Sequence, residues 1–300
     1  MSWILTIPDG FSLTSIIKYS AGLLLPPFTG NPSMAVIERV EELASNRVLL
    51  LTISQVPAGL QIQTSQHLDS AESEEISHKV WRMLRLGENL APFFQLRANQ
   101  KYPQHPAVLA GRLLRGTTLF EDVLKAFLLT YQREPLARDQ QPSAQLITHL
   151  VDQLGGSLPS NPTRHAFPTC AKLQHPSVPL TELLGPALGQ TTRELVGFCD
   201  TELAKIEELQ AAHCSLETLT GELNRLPGMR PAMLALLMLS LGRYDYLPSG
   251  DYARHYVYSE PEFAVSTNSS KDFSVWHPWE GLAYWLGTQP SSVLSGSKES

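Results

Sequence analysis

The stretch that most restricts how this chain can fold runs from Leu223 to Tyr256, LNRLPGMRPAMLALLMLSLGRYDYLPSGDYARHY. Pro227 presets φ and Gly228 accepts a positive φ without a Cβ clash, so the pair predicts a tight turn. Pro231 suits the first position of a following helix, where a missing N–H removes no hydrogen bond. Gly242 is placed to end that helix as its C′ residue. Between them AMLALLMLSL is apolar on every side, the mark of a helix buried all round. The rest of the fold therefore has to enclose it. Beyond it lies Asp245-Tyr-Leu-Pro-Ser-Gly-Asp251, a loop of turn residues with an acid at each end.

A chain of 300 residues can enclose such a helix in two domains or one large one. Its 43% apolar and 17% charged residues describe a soluble globular protein. Cys170, Cys199 and Cys214 are scattered without metal-like spacing, which argues for a reducing compartment and against a disulfide framework or a four-cysteine cluster. Of the nine histidines, His105, His165, His255 and His277 are dispersed and show no ligand spacing either, and no metal site is expected. No apolar run reaches the length of a membrane span, and MSWILTIPDG lacks the pattern of a signal peptide. A cytoplasmic or nucleoid-associated monomer is expected. The net charge of −6 opposes phosphate binding, but basic residues outnumber acids from Arg97 to Arg138 and again from Leu223 to Tyr256.

Residues 1–93 read as an α+β unit. Strands are predicted at Ser2–Pro8, Val36–Val40, Arg47–Val56 and Gly59–Thr64, the last alternating as an edge or half-buried strand, with helices at Leu13–Leu25 and Ala71–Leu86. From Leu90 the pattern turns helical. Thr118 and Glu121 are spaced as a capping box for a helix over Leu119–Tyr131. Further helices are predicted at Gln145–Leu154, His165–Leu173, Leu180–Leu188, Thr191–Ala212, Ser215–Leu226, Asp251–Tyr258 and after Trp276. Residues 289–300 read as a disordered polar tail.

The hairpin, the buried helix and the acid beyond it resemble the helix-hairpin-helix DNA glycosylases, in particular the 3-methyladenine DNA glycosylase II branch. That branch reads L-P-G-[IV]-G-x-x-T-A and then, one helix later, D-x-[FL]-P-x-x-D-[LY]. Leu226, Pro227, Gly228 and Met229, then Asp245, Leu247, Pro248, Asp251 and Tyr252, match. A second element, R-x-P-T-x-F-E-x-L-x-x-A-I-x-x-Q-Q, is met by Thr118, Phe120, Glu121, Ala126, Phe127 and Gln132, with Arg133 replacing the second Gln. The closing W-R-P-W-R-x-Y-A resembles the segment from Trp276, with His277 and Glu280 in place of two arginines.

The resemblance implies a small antiparallel sheet domain like one repeat of the TATA-binding protein (1–93), then a mostly helical two-lobed glycosylase domain (94–288). It also implies double-stranded DNA carrying a damaged base as partner. Loss of a base builds positive charge on the sugar, which a carboxylate can stabilise while orienting water. Asp251 is the catalytic candidate; capping the helix that follows it is its structural alternative. Leu226 to Pro231 (with Met229 and Arg230) would hold the DNA backbone through N–H groups at a helix N-terminus, and a monovalent cation there is implied by resemblance. Gln132 and Arg133 fall beside the DNA, Arg133 as a wedge filling the gap left by the flipped base. Tyr131, Tyr252, Trp279 and Trp285 are the base-pocket candidates, each with core packing as its alternative. Bifunctional relatives form a Schiff base through a Lys at the position of Ala232, so a monofunctional enzyme excising alkylated, 3-methyladenine-like bases is implied. Two other readings stay open: a catalytically degenerate relative that binds DNA or a protein partner, and a helical scaffold with an accidental hairpin.

Overall fold

The computed structural model describes residues 1–19, 24–99, 112–131, 143–247 and 274–287. As expected from the sequence, an N-terminal antiparallel sheet precedes a mostly helical region. The first part comprises β1 (Ser2–Leu5), α1 (Leu13–Tyr19), β2 (Phe28–Asn31), β3 (Val36–Glu42), β4 (Val48–Val56), β5 (Gly59–Thr64) and α2 (Ser70–Met83). Strand order is β1-β5-β4-β3-β2, every neighbour antiparallel. β5 is interior, where the sequence suggested an edge or half-buried strand, because β1 pairs along its open side. Its alternation still places Leu60 and Ile62 in the core and leaves Gln63 in solvent. β2 was not foreseen: FTGN offers one apolar side chain and no alternation to read.

One face of the sheet packs on α1 and α2 through Ile16, Ile17, Ile76, Val80 and Met83. Asp69 caps α2 in a full capping box with Glu72. The other face of β3 is covered from the helical part. There β6 (Ser157–Leu158) and β7 (Asn161–His165) form a small hairpin that sets Leu158 against Val40, with Arg164 bonded to Glu38. β3 is thus buried on both faces, and its charged residues Arg39, Glu41 and Glu42 need partners.

The remaining helices are α3 (Ala91–Asn99), α4 (Leu119–Tyr131), α5 (Ser143–Leu154), α6 (Cys170–Gln174), α7 (Leu180–Leu183), α8 (Pro186–Ala211), α9 (Leu216–Leu223), α10 (Pro231–Ser240) and α11 (Glu280–Gly287). Their main core gathers α4, α5, α8, α9 and α10 around Phe127, Leu150, Leu195 and Met233. Two predicted helices are corrected. His165–Leu173 is instead the end of β7, an extended Phe167-Pro168, and α6, since Pro168 keeps the preceding residue out of the helical region. Leu180–Leu188 breaks at Gly185, whose φ is +85°, and Pro186 opens α8 as an N1 residue. The predicted helix Asp251–Tyr258 and the 289–300 tail lie outside the described residues.

The sheet is fastened to the helices by buried charge. Arg39, on β3, donates Nη1 and Nη2 to the two carboxylate oxygens of Glu121, on α4, at 2.9 and 2.8 Å. Its Nε reaches Glu41 at 2.5 Å and Nη2 also reaches Thr117 at 3.0 Å. Lys125, one turn along α4, donates to Glu121 at 2.7 Å. The expected capping box is accordingly half formed. The Glu121 N–H donates to Thr118 Oγ1, but its carboxylate takes the charged partners and the Thr117 N–H instead. Two full positive charges attract the carboxylate more strongly than one N–H dipole does, so they win that choice.

A second tie is Arg85, which follows α2 in the left-handed region at φ +55°. It occupies the C′ position of a Schellman turn: its N–H bonds to the Arg82 carbonyl and that of Leu86 to Trp81. Gly is the usual residue there, and a non-glycine costs about 1 kcal/mol or more. The side chain explains the choice. Nε donates to the Leu113 carbonyl at 2.7 Å, Nη2 to Leu239 at 2.5 Å, and Nη1 to Glu88 and Tyr244. One guanidinium thereby joins α2, the 112–116 segment and the end of α10.

Burial alone would raise the carboxyl pKa of Glu121, but the charges of Arg39 and Lys125 overcome it and hold it far below its ordinary 4.5. The stability this supplies is complete above the unfolded-state value and is lost as pH falls below it toward the lowered folded value. Replacing Arg39 with Met should cost about 3 kcal/mol in urea denaturation at pH 7, since it leaves two buried acids short of a partner. The gap between wild type and Glu121→Gln should shrink steadily as denaturation is repeated below pH 4.5. A gap that does not change with pH would show that the pair does not fasten the two parts.

Candidate nucleic-acid interface

α9 stops at Leu223, and Leu226-Pro227-Gly228-Met229 closes a turn with the Met229 N–H on the Leu226 carbonyl at 3.1 Å. Pro at the second position and Gly at the third, with φ +73°, are the signature of a type II turn. Leu226 is buried and anchors the turn, while Pro227, Gly228 and Met229 are half-exposed. Gly228 is required twice. Besides its positive φ, a Cβ there would stand 2.6 Å from Cε2 of Phe127 on α4.

Arg230 stands where the resembling family has its second Gly. Its backbone is extended, with φ −138° and ψ 157°, a conformation open to any residue, so its Cβ does not strain the turn. Its Nη1 donates to the Tyr131 carbonyl at 3.0 Å, and its guanidinium lies 4.8 Å from the Tyr131 ring centroid. Tyr131 in turn packs on Phe127 at 5.3 Å. Arg230 therefore clamps the hairpin to the end of α4. As N-cap of α10 it offers no side-chain bond to the first-turn N–H groups, and Pro231 is exposed. A helix N-terminus without a side-chain cap is suited to an anion.

The other singled-out residues are distributed as follows. Gln132, Arg133, Asp251 and Tyr252 lie outside the described residues, as does the side chain of Trp285. Trp279 stacks on Tyr244 at 5.6 Å and meets Phe93 at 5.8 Å in a cluster joining α3, the end of α10 and α11. Tyr131 is outside that cluster and touches Phe127 and Arg230. Ala232 is buried. Asp245, the first acid of the loop, forms a two-point ion pair with Arg243 at 2.8 and 3.1 Å. Gly242, as foreseen, closes α10 in a Schellman turn, with Arg243 bonded to the Met238 carbonyl.

The basic stretch from Arg97 to Arg138 is not a phosphate-facing surface where it is described. Arg112 and Lys125 are buried, and the Arg115 side chain is 9% exposed. Arg112 donates to the carbonyls of Arg85 and Glu88, and Arg115 pairs with Asp122. Counting charge along a sequence cannot tell a surface cation from one turned inward.

These inward cations border a feature the sequence did not suggest. A recess between β2, the 112–116 segment, α4 and α10 is lined by Phe28, Arg115, Lys125, Leu129, Leu236 and Ser240. The space open to water centres within it is about 70 Å³, several times the ~10–15 Å³ that one water needs. Burial, opposed by Asp122 and reinforced by Arg82 and Arg85, pulls the Arg115 pKa down to about 10. Burial likewise holds Lys125 below its ordinary value despite Glu121. The one available sequence signal was Lys125 itself, a lone charge in the apolar run of α4. Among the described residues no cluster of His, Cys, Asp or Glu could hold a metal ion, and no helix is long and apolar enough to cross a membrane.

The sheet, the helical body and the hairpin together are the fold of the helix-hairpin-helix DNA glycosylases. The apo 8-oxoguanine glycosylase/lyase of Clostridium acetobutylicum superposes with a TM-score of 0.63 at 16% identity, over 95% of this chain and 94% of that one. The same protein with double-stranded DNA containing cytosine opposite 8-oxoguanine gives 0.61 at 15%, over 96% of both chains. The 3-methyladenine DNA glycosylase of Archaeoglobus fulgidus gives 0.60 at 17%, over 80% of this chain and 79% of that one. No protein-family model matches the sequence, and no curated protein matches it.

Because Gly228 combines a positive φ with contact on Phe127, Gly228→Ala should destabilise the protein by about 2 kcal/mol. Urea denaturation reads the effect, and an unchanged midpoint in Gly228→Ala would show that neither the positive φ nor the contact with Phe127 constrains this turn.

Proposed function

We propose that this protein is a monofunctional DNA glycosylase that excises alkylated bases, with 3-methyladenine-like purines as the type, by base flipping and hydrolysis of the N-glycosidic bond. The observation that carries the reading is the hairpin: a type II turn seated on α4, followed by a helix N-terminus without a side-chain cap, within a fold shared with an 8-oxoguanine glycosylase/lyase and a 3-methyladenine DNA glycosylase. The N–H groups of the first turn of α10 hold a DNA phosphate, and the sheet part to about residue 93 forms one domain beside the helical one. The recess between α4 and α10 receives the extruded base.

Asp251 supplies the chemistry. Its carboxylate stabilises the charge that develops on the sugar and orients the attacking water. The pairing of Asp245 with Arg243 supports this choice, because it ties up the other acid of the loop. Ala232 offers no amine for a Schiff base, so the sugar stays uncleaved after the base departs. A second reading, a catalytically inactive DNA-binding relative, is favoured by the His277–Glu280 pair at 2.8 Å where the resembling family carries two arginines.

Asp251→Asn should leave folding and binding to an abasic-analogue duplex intact while lowering release of methylated base by about 10²-fold or more. Borohydride should trap no covalent protein–DNA adduct. Full activity in the variant would remove Asp251 from the mechanism, and a trapped adduct would refute monofunctionality. DNA affinity that falls with salt, in a wild-type protein that releases no lesion, would establish the second reading.

A further inference from the structure

Resting on that reading, we infer that Arg230 is a positioning residue for base extrusion. It ties the turn that holds the DNA backbone to the last turn of α4, so that the two keep one distance and one angle while the base leaves the stack. Its guanidinium serves this joint within the protein and not a DNA phosphate.

The hairpin meets α4 at two places. Gly228 packs on Phe127 so closely that a Cβ would stand 2.6 Å from Cε2. Arg230 meets Tyr131, with Nη1 donating to its carbonyl at 3.0 Å and the guanidinium 4.8 Å from its ring centroid. Phe127 and Tyr131 stand one turn apart on α4, their rings 5.3 Å apart. Contact at Phe127 alone would let the hairpin swing about that point. A second contact one turn further removes the freedom, and a glycine at position 230 would have no side chain to make it.

The second contact is well matched chemically. Tyr131 is the last residue of α4, and its carbonyl is one that a helix end leaves without an intrahelical partner. A cation there also meets the negative end of the helix dipole. A guanidinium can lie flat on the ring and donate from its edge in one rigid unit, which an ammonium cannot.

The same side chain leaves the backbone grip open. Arg230 is the N-cap residue of α10, yet it makes no side-chain bond to the first-turn N–H groups, and Pro231 beside it is exposed. At the other end of the joint, Tyr131 is followed directly in the sequence by Gln132 and Arg133, the residues expected beside the flipped base. The joint therefore sets where that stretch of chain begins relative to the held phosphate.

Extrusion needs the backbone held at one point while the stack is opened at another. A misplacement of about 1 Å in such an arrangement can cost about 10²-fold in rate. Affinity for the duplex depends instead on the phosphate contacts. Breaking the joint should consequently slow the reaction and leave binding nearly unchanged.

Full-length wild type, Arg230→Met and Arg230→Lys are compared by three measurements. These are single-turnover release of methylated base at saturating protein, affinity for an abasic-analogue duplex across a salt series, and the rise in fluorescence of a 2-aminopurine placed next to the lesion, which reports unstacking. Both variants should lower the release rate by about tenfold or more and diminish the fluorescence rise. Duplex affinity should stay within about threefold of wild type, with the same salt slope. Arg230→Lys keeps the charge and most of the stem, so the comparison survives a folding loss in Arg230→Met. A phosphate ligand would behave otherwise: Arg230→Met would reduce the salt slope by about 0.9 and Arg230→Lys would restore it, which overturns the inference. Wild-type release rates in both variants overturn it as well, and so does a slowed release with an undiminished fluorescence rise. If wild type binds the abasic-analogue duplex but releases no methylated base, the glycosylase reading itself fails and this inference falls with it.

Discussion

The two-point bond between Arg39 and Glu121 is where the sheet and the helices become one body. Both groups are almost wholly withdrawn from water, and neither could remain charged there alone. Arg39 comes from the middle of a strand buried on both faces, and Glu121 from the first turn of the helix on which the hairpin rests. The position of α4 against the sheet, and through Phe127 the position of the turn at Gly228, therefore depend on one ion pair far from the exposed surface. A hydrophobic contact could hold these elements together, but a forked pair also specifies their register, since both N–H···O bonds form at only one setting.

From that joint the construction spreads in two directions. Toward the hairpin, Phe127 and Tyr131 carry the contact surface of α4 to Gly228 and Arg230, so the turn is packed from behind and its helix N-terminus faces outward. Toward the end of α10, Arg85 accepts an unfavourable backbone conformation in order to reach three segments at once. Strain of that kind persists only where the surroundings over-determine it. Between the two ties lies the recess, and its charged lining follows from its location: it is bounded by the same side chains that join the two parts.

This arrangement changes how the charge balance of the chain should be read. A net negative protein with local basic stretches suggests cations gathered on a DNA-facing surface. In the described residues several of those cations are structural, and in the proposed function the phosphate contact falls instead to N–H groups, which carry no formal charge and leave no trace in composition.

The sequence by itself determined the elements whose signals are local. Pro227, Gly228, Pro231 and Gly242 placed the hairpin and both ends of the buried helix, because turn and cap chemistry acts over a few residues. Short apolar and β-branched runs found three strands of the sheet and period-two alternation a fourth, Gly59–Thr64, and an all-apolar decamer announced a helix enclosed on every side. Where signals were short or competing the sequence was silent or misleading: β2 is too short to alternate, Pro168 and Gly185-Pro186 interrupt otherwise helical runs, and the carboxylate of Glu121 forsakes its local cap for distant cations. Only the tertiary structure decided which charges face inward, that Trp279 packs on Phe93 and Tyr244, that Arg230 clamps α4, and that a cation-lined recess exists. Those properties arise from residues far apart in the chain that share one low-dielectric space, and no spacing along a sequence encodes such a meeting.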